Sequence, residues 1–171
     1  MSDPLATIVR CVRCNVLDPD PAFVDPPTDP AAREKYIAAV GKYILERDPD
    51  DATPLLREGV TPTWFHVRRL SLAWCNEALD DVVKIGARRA LAFRAAMHRV
   101  ECSDGAVMLA EGLDPDQFGV RVAPRAWAQE VSDRFGAETI QEMGQVAIDL
   151  ARLPKGRRGP FSPWGGTALS S

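Results

Sequence analysis

Four cysteines and two histidines are the side chains of this 171-residue sequence best suited to metal or nucleophilic chemistry. Cys11 and Cys14 form a C-x-x-C pair, and with Cys75, Cys102, His66 and His98 they raise the question of zinc. A structural zinc site normally takes two such pairs, whose turns bring the ligands together at about 2.3 Å from one ion. Here the second pair is missing. Val12 and Arg13 between the two cysteines favour extended backbone, and residues three apart on a strand point to opposite faces. Reduced, partly buried thiols are therefore expected. A zinc-binding regulatory or DNA-associated module built on Cys11 and Cys14 is the alternative reading. A thioredoxin-like role would need the pair between a strand and a helix in a βαβ setting, and no such setting is apparent. Cys75 falls on an apolar helical stripe, where a free cysteine behaves as a small hydrophobe. A nucleophile pair would join Cys75 or Cys102 to His66 or His98, but nothing in the spacing selects one. Asp80 with Asp81, and Asp114 with Asp116, read as solvated surface and turn punctuation, since adjacent residues on a helix diverge. Phosphate-cradling glycine loops, nucleophile elbows and metalloprotease helix motifs are absent from the sequence. No catalytic residue, cofactor or metal is expected, and the chain reads as non-enzymatic.

The elements that would position these residues follow from pattern. A chain of this length suits one domain with appended arms, and a 46% hydrophobic fraction is enough for an ordinary core. Residues 7–17 read as a strand, with Ile8, Val12, Cys14 and Val16 sharing one parity. Asp29 followed by Pro30 is a helix start, and the helix runs to about Glu46 with Tyr36, Val40, Tyr43 and Ile44 inward. Residues 60–70 have the aromatic and β-branched content of a second strand, to be paired with the first or with an equivalent on a partner. Ser71 is a candidate N-cap for one long helix reaching Glu101, with a stripe of Leu72, Cys75, Leu79, Val82, Gly86, Ala90, Phe93, Met97 and Val100. Gly86 either weakens that helix or admits a neighbouring backbone. A short helical or irregular stretch from Gly105 to Glu111 and a turn at Gly112 to Gln117 follow. Pro124 then opens a helix closed by Gly136, with Trp127 and Val131 inward. Ile140, Met143, Ala147 and Leu150 line a last helix that Pro154 ends. The result is a mainly helical α+β fold: residues 1–30 a strand and Pro-rich connector, 31–154 a helical body with a small two-stranded β element, and 155–171 a Gly/Pro-rich arm.

The arms carry the non-enzymatic signal. Phe23 and Val24 are the large apolar residues of the Pro-rich connector, and Arg157, Arg158, Phe161 and Trp164 stand in the C-terminal arm. Aromatic rings in a segment unable to build its own core need a receiving surface, and arginines pair with carboxylate or phosphate groups. Phe23, Arg157, Arg158, Phe161 and Trp164 are therefore the expected partner-binding residues. The formal net charge of −3 argues against a dedicated nucleic-acid or anionic-membrane binder. No apolar run of membrane-spanning length or secretion-signal pattern at Met1-Ser2-Asp3-Pro4 points to a membrane.

One combination goes further. The run Gly59-Val-Thr-Pro-Thr-Trp-Phe-His-Val-Arg-Arg-Leu-Ser leads into a long helical segment, and a late helix, Thr139 to Leu150, ends in Ala-Arg-Leu before the tail. This arrangement resembles small proteins of tailed-bacteriophage structural modules, particularly tail-assembly-chaperone-like proteins. The resemblance spans roughly Gly59 to Leu153 and implies a protein that binds other phage structural proteins or copies of itself. It implies an oligomeric assembly, in the virion or in the host cytoplasm during assembly. It implies no catalytic residue.

Overall fold

The structure, a computed structural model, describes residues 8–11, 21–43 and 55–152. Its helices begin and end at chemically marked positions. Helix α1, Pro30–Tyr43, opens where an Asp29 carboxylate oxygen accepts from the Ala32 N–H at 2.9 Å. Helix α2, Leu72–Asp80, opens where the Ser71 hydroxyl accepts from Trp74 N–H at 3.1 Å. Each cap satisfies a first-turn donor that has no partner inside the helix. Helix α3 is Ile85–Ala96, α4 is Arg125–Phe135 behind Pro124, and α5 is Ala137–Arg152. Gly136 divides α4 from α5 at φ 94°, a conformation that glycine adopts without side-chain strain.

Strands β1 (Ile8–Cys11), β2 (Trp64–Arg68), β3 (Met97–Glu101) and β4 (Val107–Leu109) form an antiparallel sheet in that order. Strands β5 (Asp114–Pro115) and β6 (Arg121–Val122) form a separate hairpin. The mainly helical α+β class holds, and β1 pairs with β2 in the same chain, Val9 opposite Val67. The β content exceeds the expected two strands. The single long helix from Ser71 to Glu101 is corrected to α2, a break, α3 and then β3. Asp80, Asp81 and the β-branched Val82 and Val83 favour the break, and His98 to Glu101 continue as strand because Val100 and Met97 both bury against the helices there. The stretch after Gly105, expected to be helical or irregular, is β4, returned by a turn in which Gly105 has φ 87°.

Opposite residues on antiparallel strands share a face, so the sheet sorts its side chains by pairs. Phe65 opposite Val100 and Val67 opposite Met97 are buried on the helical side. The register shifts between His66 and Val67, where β3 carries the extra residue His98, a bulge. The core is one cluster running from Phe23 and Tyr36 through Phe93 and Trp127 to Met143 and Ala151. The Phe93 and Trp127 rings stack at 5.8 Å between α3 and α4, and Phe65 meets Phe135 edge-on at 5.7 Å. The tightest approach joins α3 and α5, where a Cβ on Gly144 would lie 2.0 Å from the Arg89 carbonyl oxygen.

Candidate functional site

Phe23 is expected to reach a partner, but the fold places it inside its own core. It is 2% exposed and bridges Leu56 in a short antiparallel pairing. Val24 N–H donates to Leu55 O, Arg57 N–H donates to Ala22 O, and the Tyr36 hydroxyl donates to Val24 O, each at 2.8 Å. Prolines had left the connector few donors, and a second strand-like segment supplies the missing partners. Arg157, Arg158, Phe161 and Trp164 lie outside the described residues, as does Cys14.

Cys75, Cys102, His66 and His98 each have their own surroundings in the fold. Cys75 and Cys102 are buried core residues whose thiols are pushed above their ordinary range by burial, partly opposed by Arg152 and Arg134 respectively. A nucleophilic cysteine needs the opposite shift. The His98 ring donates through Nε2 to Arg94 O at 3.1 Å, and burial, aided by Arg68, holds it below the usual histidine range. His66 lies on the outer sheet face with Nε2 3.4 Å from a Glu101 carboxylate oxygen. Arg99 donates to the other Glu101 oxygen at 2.9 Å, and these two partners hold the carboxyl below its ordinary range. Among the described residues, no cluster of three or more His, Cys, Asp or Glu side chains is placed to hold a metal.

The surface features of most interest were not singled out from the sequence. Val83 and Ile85, in and just after the α2–α3 break, are 90% and 65% exposed. Val107 and Leu109 on the edge strand β4 are 47% and 51% exposed, opposite Glu101 and Arg99 on the outer face. Phe118 stands 41% exposed at the tip of the β5–β6 hairpin. That hairpin is anchored: one Asp116 oxygen accepts from Phe118 and Val120 N–H at 2.9 and 2.8 Å, and the other accepts from Trp74 Nε1 at 2.5 Å. The turn expected over Gly112 to Gln117 is corrected: Asp114–Pro115 within it form β5, the chain reverses at Asp116 to Gly119, and the anchor at Trp74 lies 42 residues away.

Between α3, α4 and the start of α5 runs an open groove of about 540 Å³, lined in part by Val82, Ala90, Leu91, Ala128 and Ile140. Arg94 and Arg125 also line it. The Arg94 Nε donates to Ala123 O at 2.7 Å, and burial and the neighbouring Arg125 both lower its pKa. This arrangement can bury apolar groups and pair an anionic one, and its described lining holds no His, Cys, Asp, Glu or Lys side chain. Comparison with protein-family models, curated proteins and solved structures returns no match to this chain.

Proposed function

We propose that this chain is a non-catalytic assembly or virion structural protein of a tailed bacteriophage, acting by burying its surface against other phage structural proteins or further copies of itself. The observation that carries the reading is that large apolar side chains are held in water by anchored elements: Val83 and Ile85 beside the groove, Val107 and Leu109 on a sheet edge, Phe118 on a fixed hairpin. Single exposed apolar residues are ordinary on any surface. Pairs of them next to an open groove and on the edge strand of the described sheet favour protein contact. A specific interface of standard size takes about 1,600 Å² in total, and Phe161 and Trp164, with Arg157 and Arg158, would extend the body toward that area. Ordering such an arm costs free energy that the contact must exceed.

Deletion of the gene from the phage that encodes it tests the reading. Incomplete particles, such as heads without tails, are expected, with rescue by the chain supplied in trans. Normal particle yield and morphology from the deletion would reject it. Mass spectrometry of purified wild-type particles then separates the two forms: a structural component is present at fixed stoichiometry, and a chaperone is absent.

A further inference from the structure

We propose that the groove between α3, α4 and α5 is the docking site for an amphipathic, carboxylate-bearing helix of a partner protein. The inference rests on the protein-contact reading above and names the chemistry of one contact. Shape is the first argument. Ala87, Ala90 and Ala128 line the groove with side chains of one carbon, and Ile140 adds apolar surface. Small residues let a helix lay its apolar stripe close to the floor, the helix-in-groove mode of recognition. Val83 and Ile85, exposed next to Val82 of the lining, extend the apolar surface beyond the groove.

Charge selects the occupant. Arg94 and Arg125 line the groove, and no aspartate or glutamate does. The carboxylate that acts on Arg94, Asp114, lies outside the lining. Asp133, on α4, is occupied by Gln129 Nε2 at 2.7 Å. Arg125 is also the first residue of α4, whose first turn holds no acidic side chain. A cation at a helix N-terminus opposes the macrodipole, so this placement does not serve the helix. It does serve recognition: a carboxylate there would meet a guanidinium fork and the positive end of α4 together. The same charge argues against the chain's own residues 155–171 as occupant, since they bring Lys155, Arg157 and Arg158 and no acidic residue.

The test uses the full chain and two fluorescent synthetic helical peptides with the same Leu/Ala stripe, one flanked by glutamates and one by lysines. By anisotropy, the glutamate peptide is expected to bind at least tenfold more tightly than the lysine peptide. Arg125→Glu should weaken it at least tenfold and reverse the preference, and Arg125→Gln should give a smaller loss. Ala87→Trp, which fills the groove from an exposed helix position, should weaken both peptides; unchanged circular dichroism keeps all three variants interpretable. Equal binding of the two peptides, no binding of the glutamate peptide, or binding indifferent to both Arg125→Glu and Ala87→Trp would overturn the proposal. Binding of octanoate in place of the peptide, lost in Arg125→Glu, would overturn it in favour of a small-molecule site. Failure here leaves the gene-deletion result standing, and normal particles from the deletion would leave peptide binding standing.

Discussion

Gly144 and Gly86 both sit on helices, yet they demand opposite things of a substitution. A methyl group at Gly144 would lie 2.0 Å from Arg89 O and 2.9 Å from Arg89 Cα, backbone atoms that move only if α3 and α5 separate. Gly144→Ala is expected to destabilise by about 3 kcal/mol or more, the upper end of overpacking costs, and to lower Tm by roughly 6–12 °C. At Gly86 the same methyl meets only the Gln141 side-chain amide at 3.5 Å, an ordinary contact. Gly86→Ala should therefore raise stability by about 0.5 kcal/mol through helix propensity. Urea denaturation of the pair checks both signs, and equal effects would contradict the packing. The sequence drew attention to Gly86 because it interrupts an apolar stripe, whereas Gly144 is the true point of close approach. Which glycine faces another backbone depends on a helix crossing that one-dimensional spacing does not contain. His98 makes a second residue-level expectation. Its folded pKa lies below the ordinary value because burial, then Arg68, disfavour the imidazolium, while the Arg94 and Arg121 backbone carbonyls pull the other way. Unfolded chains then take up the proton more readily, so this contribution to stability is present above about pH 6.5 and is lost as pH falls toward the folded value. Wild-type stability measured from pH 7.5 to 5.5 should fall more steeply than that of His98→Gln; parallel curves would remove His98 as the cause.

Element boundaries were readable wherever local chemistry sets them. Asp29-Pro30, Ser71, Pro124 and Gly136 each mark an end that the structure keeps, because caps and breakers act on their own turn. The break after α2 was missed because the apolar spacing runs through it from Leu79 to Phe93 and masks the local Asp80-Asp-Val-Val signal. A side chain from the next helix stabilises the break. Arg88 Nε donates to Val82 O, and its Nη2 reaches Asp80 O at 3.5 Å, so carbonyls released at the end of α2 find a donor on α3. Arg88→Ala should leave both helices in place while loosening residues 80–85, the segment that holds Val83 and Ile85 in the open. With a net hydrogen-bond contribution of about 1 kcal/mol, amide exchange there should quicken about fivefold while the core amides of α5 keep their protection. Equal acceleration throughout would mean that Arg88 supports the whole fold and not the connection. The groove beside it was equally hidden. Arg94 and Arg125 are 31 positions apart in sequence, and only the folding of α3 against α4 makes them neighbours.

Across the whole molecule, the two regions expected to bind partners part company. One apolar cluster joins the N-terminal connector, the sheet and α5, and it runs from Phe23 to Ala151. Phe23 is among its largest fully buried side chains, so its removal acts on folding before it acts on any contact. Phe23→Ala is expected to cost about 3–5 kcal/mol and to lower Tm by roughly 6–20 °C. Residues 155–171 follow α5 and lie outside the described residues, and the described cluster is complete without them from Phe23 to Ala151. Truncation after Pro154 should leave Tm within about 2 °C of the full chain, because every described core residue is retained. Under the assembly reading, the same truncation fails to restore particle yield when supplied in trans, and Trp164→Ala gives a partial loss with unchanged Tm. The two measurements together separate a folding role from a contact role: Phe23→Ala moves Tm first, and the truncation moves assembly alone. A truncated chain that unfolds would place Phe161 and Trp164 in the chain's own interior, and one that assembles normally would remove the arm from the mechanism.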